Sequence, residues 1–231
     1  MRKNSYFHMD EDQLKDDINM PLEQKIDTLI SASTTASNLT NSSPYINNNV
    51  PSEPLTKDIL FDALKIISSL QIDYCLIGAL AVIYYGCVRA TRDADFIALI
   101  DNKEIFKQKQ EELTKSGCQV EYRKGDFNDP VGDMLVIKKG NIKVDIILAT
   151  KILQKNTVKN AHREDYLGYD LRIASPEDLI LLKLVSGSYM DLYDVQNIYR
   201  SLKDKLNLDY IDDNSKQFKC HKEWNRIKEE G

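Results

Sequence analysis

Apolar residues recur at three- and four-residue spacing through Ile59, Leu60, Ala63, Leu64, Ile67 and Leu70. This predicts an amphipathic helix, N-capped by Thr56, with one stripe covering a sheet. The pattern then shortens: Asp73 to Ile77 reads as a buried strand, Gly78-Ala79 as a turn, and Leu80 to Tyr85 as a helix closed by Gly86. Ala94 to Ile100 reads as a second strand, Asn102 to Ser116 as a polar helix stopping at Gly117, and Cys118 to Arg123 as a third strand. Lys124 to Val131 is rich in loop formers, and Asp133 to Lys138 with Ile142 to Leu148 flank Gly140-Asn141 as a hairpin.

Beyond Thr150 the pattern turns mainly helical. Lys151 to Asn160 reads as a helix and Tyr169 to Ile173 as a short strand. In SPEDLILLKLVS, Ser175 suits an N-cap and Pro176 the first helical position. A further helix spans Asp191 to Leu202, with Leu192, Val195, Ile198, Tyr199 and Leu202 spaced for packing. From Lys203 the pattern weakens, although Trp224 and Ile227 can dock a last helix on which His221 is a surface residue. Residues 1–55 hold a weakly amphipathic piece from Leu14 to Ile30, followed by SASTTASNLTNSSPYINNNVPSEP, which has little to bury and reads as a disordered leader. The expected organisation is leader (1–55), sheet-based core (56–150) and helical C-terminal portion (151–231).

Charge alters this picture little. The net charge of −5 is concentrated in the leader, with four Lys/Arg against eight Asp/Glu; the remainder is near neutral and shows no broad electrostatic grip on nucleic acid. Cys75, Cys87, Cys118 and Cys220 show neither CxxC spacing nor paired histidines, which disfavours a zinc site or a disulfide framework and fits a reducing, cytoplasmic compartment. No signal-peptide run or membrane-length apolar stretch occurs, so a membrane partner is not expected.

Three carboxylates carry the candidate chemistry. Asp93 and Asp95 are two residues apart on a strand and share one face. Asp145, between Val144 and Ile146, faces either a site or a solvated surface. Together they offer the oxygen ligands that magnesium shares with substrate phosphates, enough for two ions about 4 Å apart. Gly78-Ala79 opens a helix and brings backbone N–H groups to bear without a bulky side chain, although small residues before a helix usually serve the turn alone. Arg89 and Arg92 either clamp phosphate or pair with the aspartates. Lys183 is either a charge on an amphipathic helix or an ammonium for a triphosphate, and Asp191 either compensates a helix N-terminus or serves the site.

The succession of Gly78, a small residue, Asp93-Ala94-Asp95-Phe96 and Val144-Asp145-Ile146 resembles the signature of the polymerase-beta-like nucleotidyltransferase superfamily. A narrower likeness, through GALAVIYYGCVRATRDADF, ASPEDLILLKLVSG and DLYDV, is to AbiEii-type nucleotidyltransferases of toxin–antitoxin and abortive-infection systems, and covers about residues 57–202. The resemblance implies an α/β (α+β) fold, a mixed sheet flanked by helices with a helical C-terminal portion. It further implies Asp93, Asp95 and Asp145 on two Mg2+ ions, Gly78 and Ala79 on an NTP, and Lys183 and Asp191 serving the nucleotide site. The activity implied is transfer of an NMP from an NTP to an acceptor hydroxyl, as an RNA- or tRNA-directed toxin with an antitoxin partner. The alternatives are a protein or aminoglycoside-like acceptor, or a non-catalytic binding module. Two departures stand out: Ala79 replaces the usual Gly or Ser, and Ser188 stands where the narrower family often has Arg.

Overall fold

The computed structural model describes residues 24, 57–87, 91, 93–100, 102–126, 129 and 131–230. The expected leader, Thr56, Arg89 and Arg92 lie outside this set, apart from residue 24. Helix α1 (Lys57–Ser69) precedes strand β1 (Asp73–Leu76), the short helix α2 (Gly78–Tyr84) and β2 (Ala94–Leu99). There follow α3 (Lys103–Lys115), β3 (Gln119–Arg123), β4 (Met134–Lys139) and β5 (Ile142–Leu148). The chain continues through α4 (Ile152–Asn160), β6 (His162–Tyr166), β7 (Tyr169–Ile173), α5 (Pro176–Ser186) and α6 (Tyr189–Leu202). A 3-10 turn leads to α7 (Leu208–Gln217) and α8 (His221–Glu230). None of the described helices is long and apolar enough to cross a membrane.

The seven strands form one mixed sheet in the order β3-β4-β5-β2-β1-β7-β6. The central three strands are β5, β2 and β1, with β2 parallel to β5 and antiparallel to β1, while β1 runs parallel to β7. The sheet therefore continues past residue 150, because β7 pairs with β1.

Strand register sorts the core into two layers. Leu76 pairs with Phe96 and with Ile173, and Phe96 with Ile146, so these apolar side chains share one face. The edge-on contact of Phe61 with Tyr169, ring centroids 5.4 Å apart, puts α1 on that face. Leu60, Ala63, Leu64, Ile67 and Leu70 bury their stripe there. The alternate residues Asp95, Ile97, Asp145 and Ile147 turn to the opposite face, where they line a cavity together with α4 and α5.

The sheet-facing elements follow the sequence pattern within a residue or two, with three informative differences. First, α2 begins at Gly78 itself, where φ is +66°. Second, β6 is an additional strand, HREDY, joined to β7 by Leu167-Gly168. It is an edge strand with only Tyr166 buried, so it lacks the apolar alternation that marks strands; its turn puts Leu167, a residue disfavoured at positive φ, at +54°. Third, the chain beyond Lys203 forms two helices rather than one; on the last of them Trp224 and Ile227 are fully buried and His221 is exposed, as the sequence pattern predicts. All four cysteines are buried free thiols.

Candidate active site

Gly78 joins the turn to the acidic strand. The Ile77 N–H donates to the Asp95 carbonyl at 2.9 Å, pinning the end of β1 to β2. A Cβ on Gly78 would lie 2.1 Å from Asp95 Oδ2, inside any allowed contact, and φ of +66° independently favours glycine. The turn and the carboxylate therefore belong to one close-packed unit. Ala79, next along α2, is buried.

Parallel pairing sets Asp145 of β5 directly beside Asp95 of β2. Asp93, two residues before Asp95, joins them through Lys143, whose Nζ donates to Asp93 Oδ2 at 2.6 Å and to Asp145 Oδ2 at 2.8 Å. Asp145 Oδ1 is buried and has no hydrogen-bond partner among the described residues. An orphaned carboxylate oxygen is costly unless something meets it, and an oxygen-only donor set suits a hard divalent cation. Among the described residues, no three acidic, His or Cys side chains already converge on a common metal position. Asp93 and Asp145 each turn one oxygen to Lys143 instead.

The electrostatics follow from this crowding. Burial first, then repulsion from Asp145 and Asp93, pushes the Asp95 carboxyl up to about 6, against the opposing pull of Lys143 and Lys183. Burial works against the Lys143 charge, but its hydrogen bonds to Asp145 and Asp93 outweigh that cost and hold its pKa above the ordinary lysine value.

Across the cavity, α5 contributes Lys183. Its Nζ donates to Asp194 Oδ2 at 2.6 Å and to Asp191 Oδ1 at 3.0 Å, and only 7% of its side chain is exposed. Asp191 also accepts from Ser186 Oγ at 2.7 Å and Ser188 Oγ at 2.5 Å. Burial favours the neutral Asp191 acid, but these hydroxyls and the Lys183 charge prevail and depress its pKa. Asp191 does not open α6: Ser188 is the N-cap, accepting from the Asp191 N–H, and the helix begins at Tyr189.

The cavity between these groups measures about 440 Å3. Gly78, Asp95, Asp145, Lys183 and Asp191 line it, and most of the wall is aliphatic, including Ile97, Ile147, Ile152, Leu179 and Leu182. Loop residue Val131 closes one side, its carbonyl accepting from Gln154 Nε2 at 2.8 Å. Of the residues expected from sequence, the three aspartates and the glycine turn come together, and Lys183 and Asp191 face the same cavity. Lys143 is the polar member that the sequence reading missed. Its signal was the two-residue step to Asp145 on one strand, which puts both side chains on one face.

No protein-family model matches the sequence, and no curated protein is significantly similar to it. Among solved structures, an antigenic nucleotidyltransferase-like protein from Paracoccidioides brasiliensis is 19% identical over 65% of this chain and 78% of its own, with a TM-score of 0.44. The lincosamide antibiotic adenylyltransferase LnuA, lincomycin-bound, is 16% identical over 63% of this chain and 98% of its own, with a TM-score of 0.43. ANT(2'')-Ia in complex with adenylyl-2''-tobramycin is 14% identical over 71% of this chain and 98% of its own, with a TM-score of 0.47.

Proposed function

We propose that the protein is a magnesium-dependent nucleotidyltransferase that moves a nucleoside monophosphate from an NTP to an acceptor hydroxyl. The observation that carries this reading is the single unit made by Gly78, Asp95 and Asp145: a side-chain-free turn against one carboxylate, with a second carboxylate paired beside it on the next strand. In the reaction, the acceptor oxygen forms a bond to the α-phosphorus, the bond from that phosphorus to the bridging β-oxygen breaks, and pyrophosphate leaves. Asp93, Asp95 and one oxygen of Asp145 would hold the divalent ions, and the other Asp145 oxygen would orient the incoming hydroxyl and take up the proton it loses. A bound ion pair supplies neutralisation of the triphosphate charge and lowers the pKa of the attacking hydroxyl. The backbone at Gly78-Ala79 gives the phosphates close access, and Lys183, held by Asp191 and Asp194, places an ammonium on the far wall of the cavity.

For the acceptor, the motif resemblance favours RNA of the tRNA class, in the manner of an AbiEii-type toxin restrained by an antitoxin. A second reading, a small-molecule acceptor, draws on the largely aliphatic 440 Å3 cavity, whose size and lining suit one compact apolar group. Both readings are tested together by incubating the full chain with each α-phosphate-labelled NTP, Mg2+ and either total RNA or a panel of small hydroxylated acceptors. Transfer of label that Asp93→Ala abolishes supports the mechanism, and the arm that takes up label identifies the acceptor class. Transfer unaffected by Asp93→Ala refutes the mechanism.

A further inference from the structure

Lys143 has the position and charge of a cation shared between carboxylates. Its ammonium lies 2.6 Å from Asp93 and 2.8 Å from Asp145, with its side chain 31% exposed. Asp95 stands beside Asp145, and Asp145 keeps its second oxygen unpartnered among the described residues. One ammonium thus faces three carboxylates, two of which it binds directly. Lysine carries its charge as a compact point on a flexible stem, so it can withdraw from a carboxylate pair without disturbing the strand that bears it.

We propose that Lys143 is a built-in counter-cation that competes with a divalent metal ion for Asp93 and Asp145, so that the metal enters the site by displacing the lysine ammonium. The inference rests on the nucleotidyl-transfer reading. It makes Lys143 a positioning residue: the ammonium holds the two carboxylates together while no metal is bound, and it weakens metal affinity below what the three carboxylates alone would give. Displacement leaves a cation at the mouth of the acidic cluster, where it offsets the negative charge of an arriving triphosphate.

Calorimetric titration of the full chain with Mg2+ tests this through binding, independently of turnover. Lys143→Met removes the competing charge and is expected to bind Mg2+ about tenfold more tightly than the wild type, whereas Lys143→Arg, which keeps the charge, stays close to wild type. Equal or weaker binding by Lys143→Met overturns the inference; if the wild type still binds Mg2+ and transfers label, the nucleotidyl-transfer reading survives. No Mg2+ binding by either protein, together with no label transfer, overturns both. Should Lys143→Met fail to fold, peptide-resolved acetylation of the wild-type chain decides. Lys143 labelling should rise several-fold on adding Mg2+, as its amine leaves the carboxylates, and unchanged or reduced labelling contradicts displacement.

Discussion

Two lysine–aspartate clusters face each other across the cavity, and their internal balance differs. In the cluster on α5 and α6, one ammonium serves Asp191 and Asp194, and Ser186 and Ser188 complete the shell of Asp191, whose pKa is depressed. In the cluster at the start of β2 and on β5, one ammonium bonds two of three carboxylates, Asp145 Oδ1 has no partner among the described residues, and Asp95 is pushed up to about 6. The first is an arrangement at rest. The second sets three carboxylates against one ammonium. Unresolved electrostatic strain of this kind concentrates at functional sites, whereas the better-satisfied cluster holds Lys183 in place on the opposite wall.

The largest effect that would break the comparison comes from removing Lys183. Lys183→Met takes the ammonium away from Asp194, whose side chain is 2% exposed, so stability should drop by about 3–5 kcal/mol in urea denaturation. Lys143→Met should cost much less, because Lys143 is 31% exposed and its carboxylates can reach water or a metal. Similar losses from the two substitutions would erase the distinction.

Asp95 gives the next effect, with the opposite sign. Its pKa of about 6 in the folded chain lies above the ordinary 3.8, so the folded state holds the extra proton between those values. The contribution of this group to stability is therefore full below about pH 4 and is lost as pH rises through about 6. Without divalent cations, Asp95→Asn should be about 2–3 kcal/mol more stable than the wild type near pH 7, and the gap should close as pH falls toward 4. A pH-independent gap would mean that Asp95 is not strained by its neighbours. The smallest effect is at Ser188: alanine removes the α6 N-cap and one hydroxyl on Asp191, at a cost of about 1 kcal/mol by thermal denaturation.

Much of the acidic site was legible because it rests on short-range pattern. The two-residue step drew attention to Asp93 and Asp95, although Asp93 lies just before β2 and joins the cluster through Lys143 rather than by strand alternation, and a glycine between strand and helix marks the turn. The direct pairing of Asp95 with Asp145 depends on sheet order, which joins residues fifty positions apart and leaves no local trace. Lys143 was hidden for a related reason: its contact with Asp93 spans the same gap, and a lysine on a strand commonly faces solvent. Strand β6 was missed because an edge strand of charged residues has no apolar alternation to display. The α6 start was displaced because the spacing drew attention to Asp191, while the capping bond belongs to Ser188. The helix patterns of α1 and α5 emerged intact, since burial of an apolar stripe is what a periodic sequence encodes.

The most direct test of the unbalanced cluster as the catalytic one is transfer of α-phosphate label by Asp145→Asn, measured beside the wild type after both are shown to be folded by circular dichroism. The substitution keeps the side-chain shape and removes the charge beside Asp95. The expected result is a folded protein, at least as stable as wild type, with label transfer reduced by about a thousandfold or more. Label transfer at the wild-type rate by folded Asp145→Asn would contradict the account.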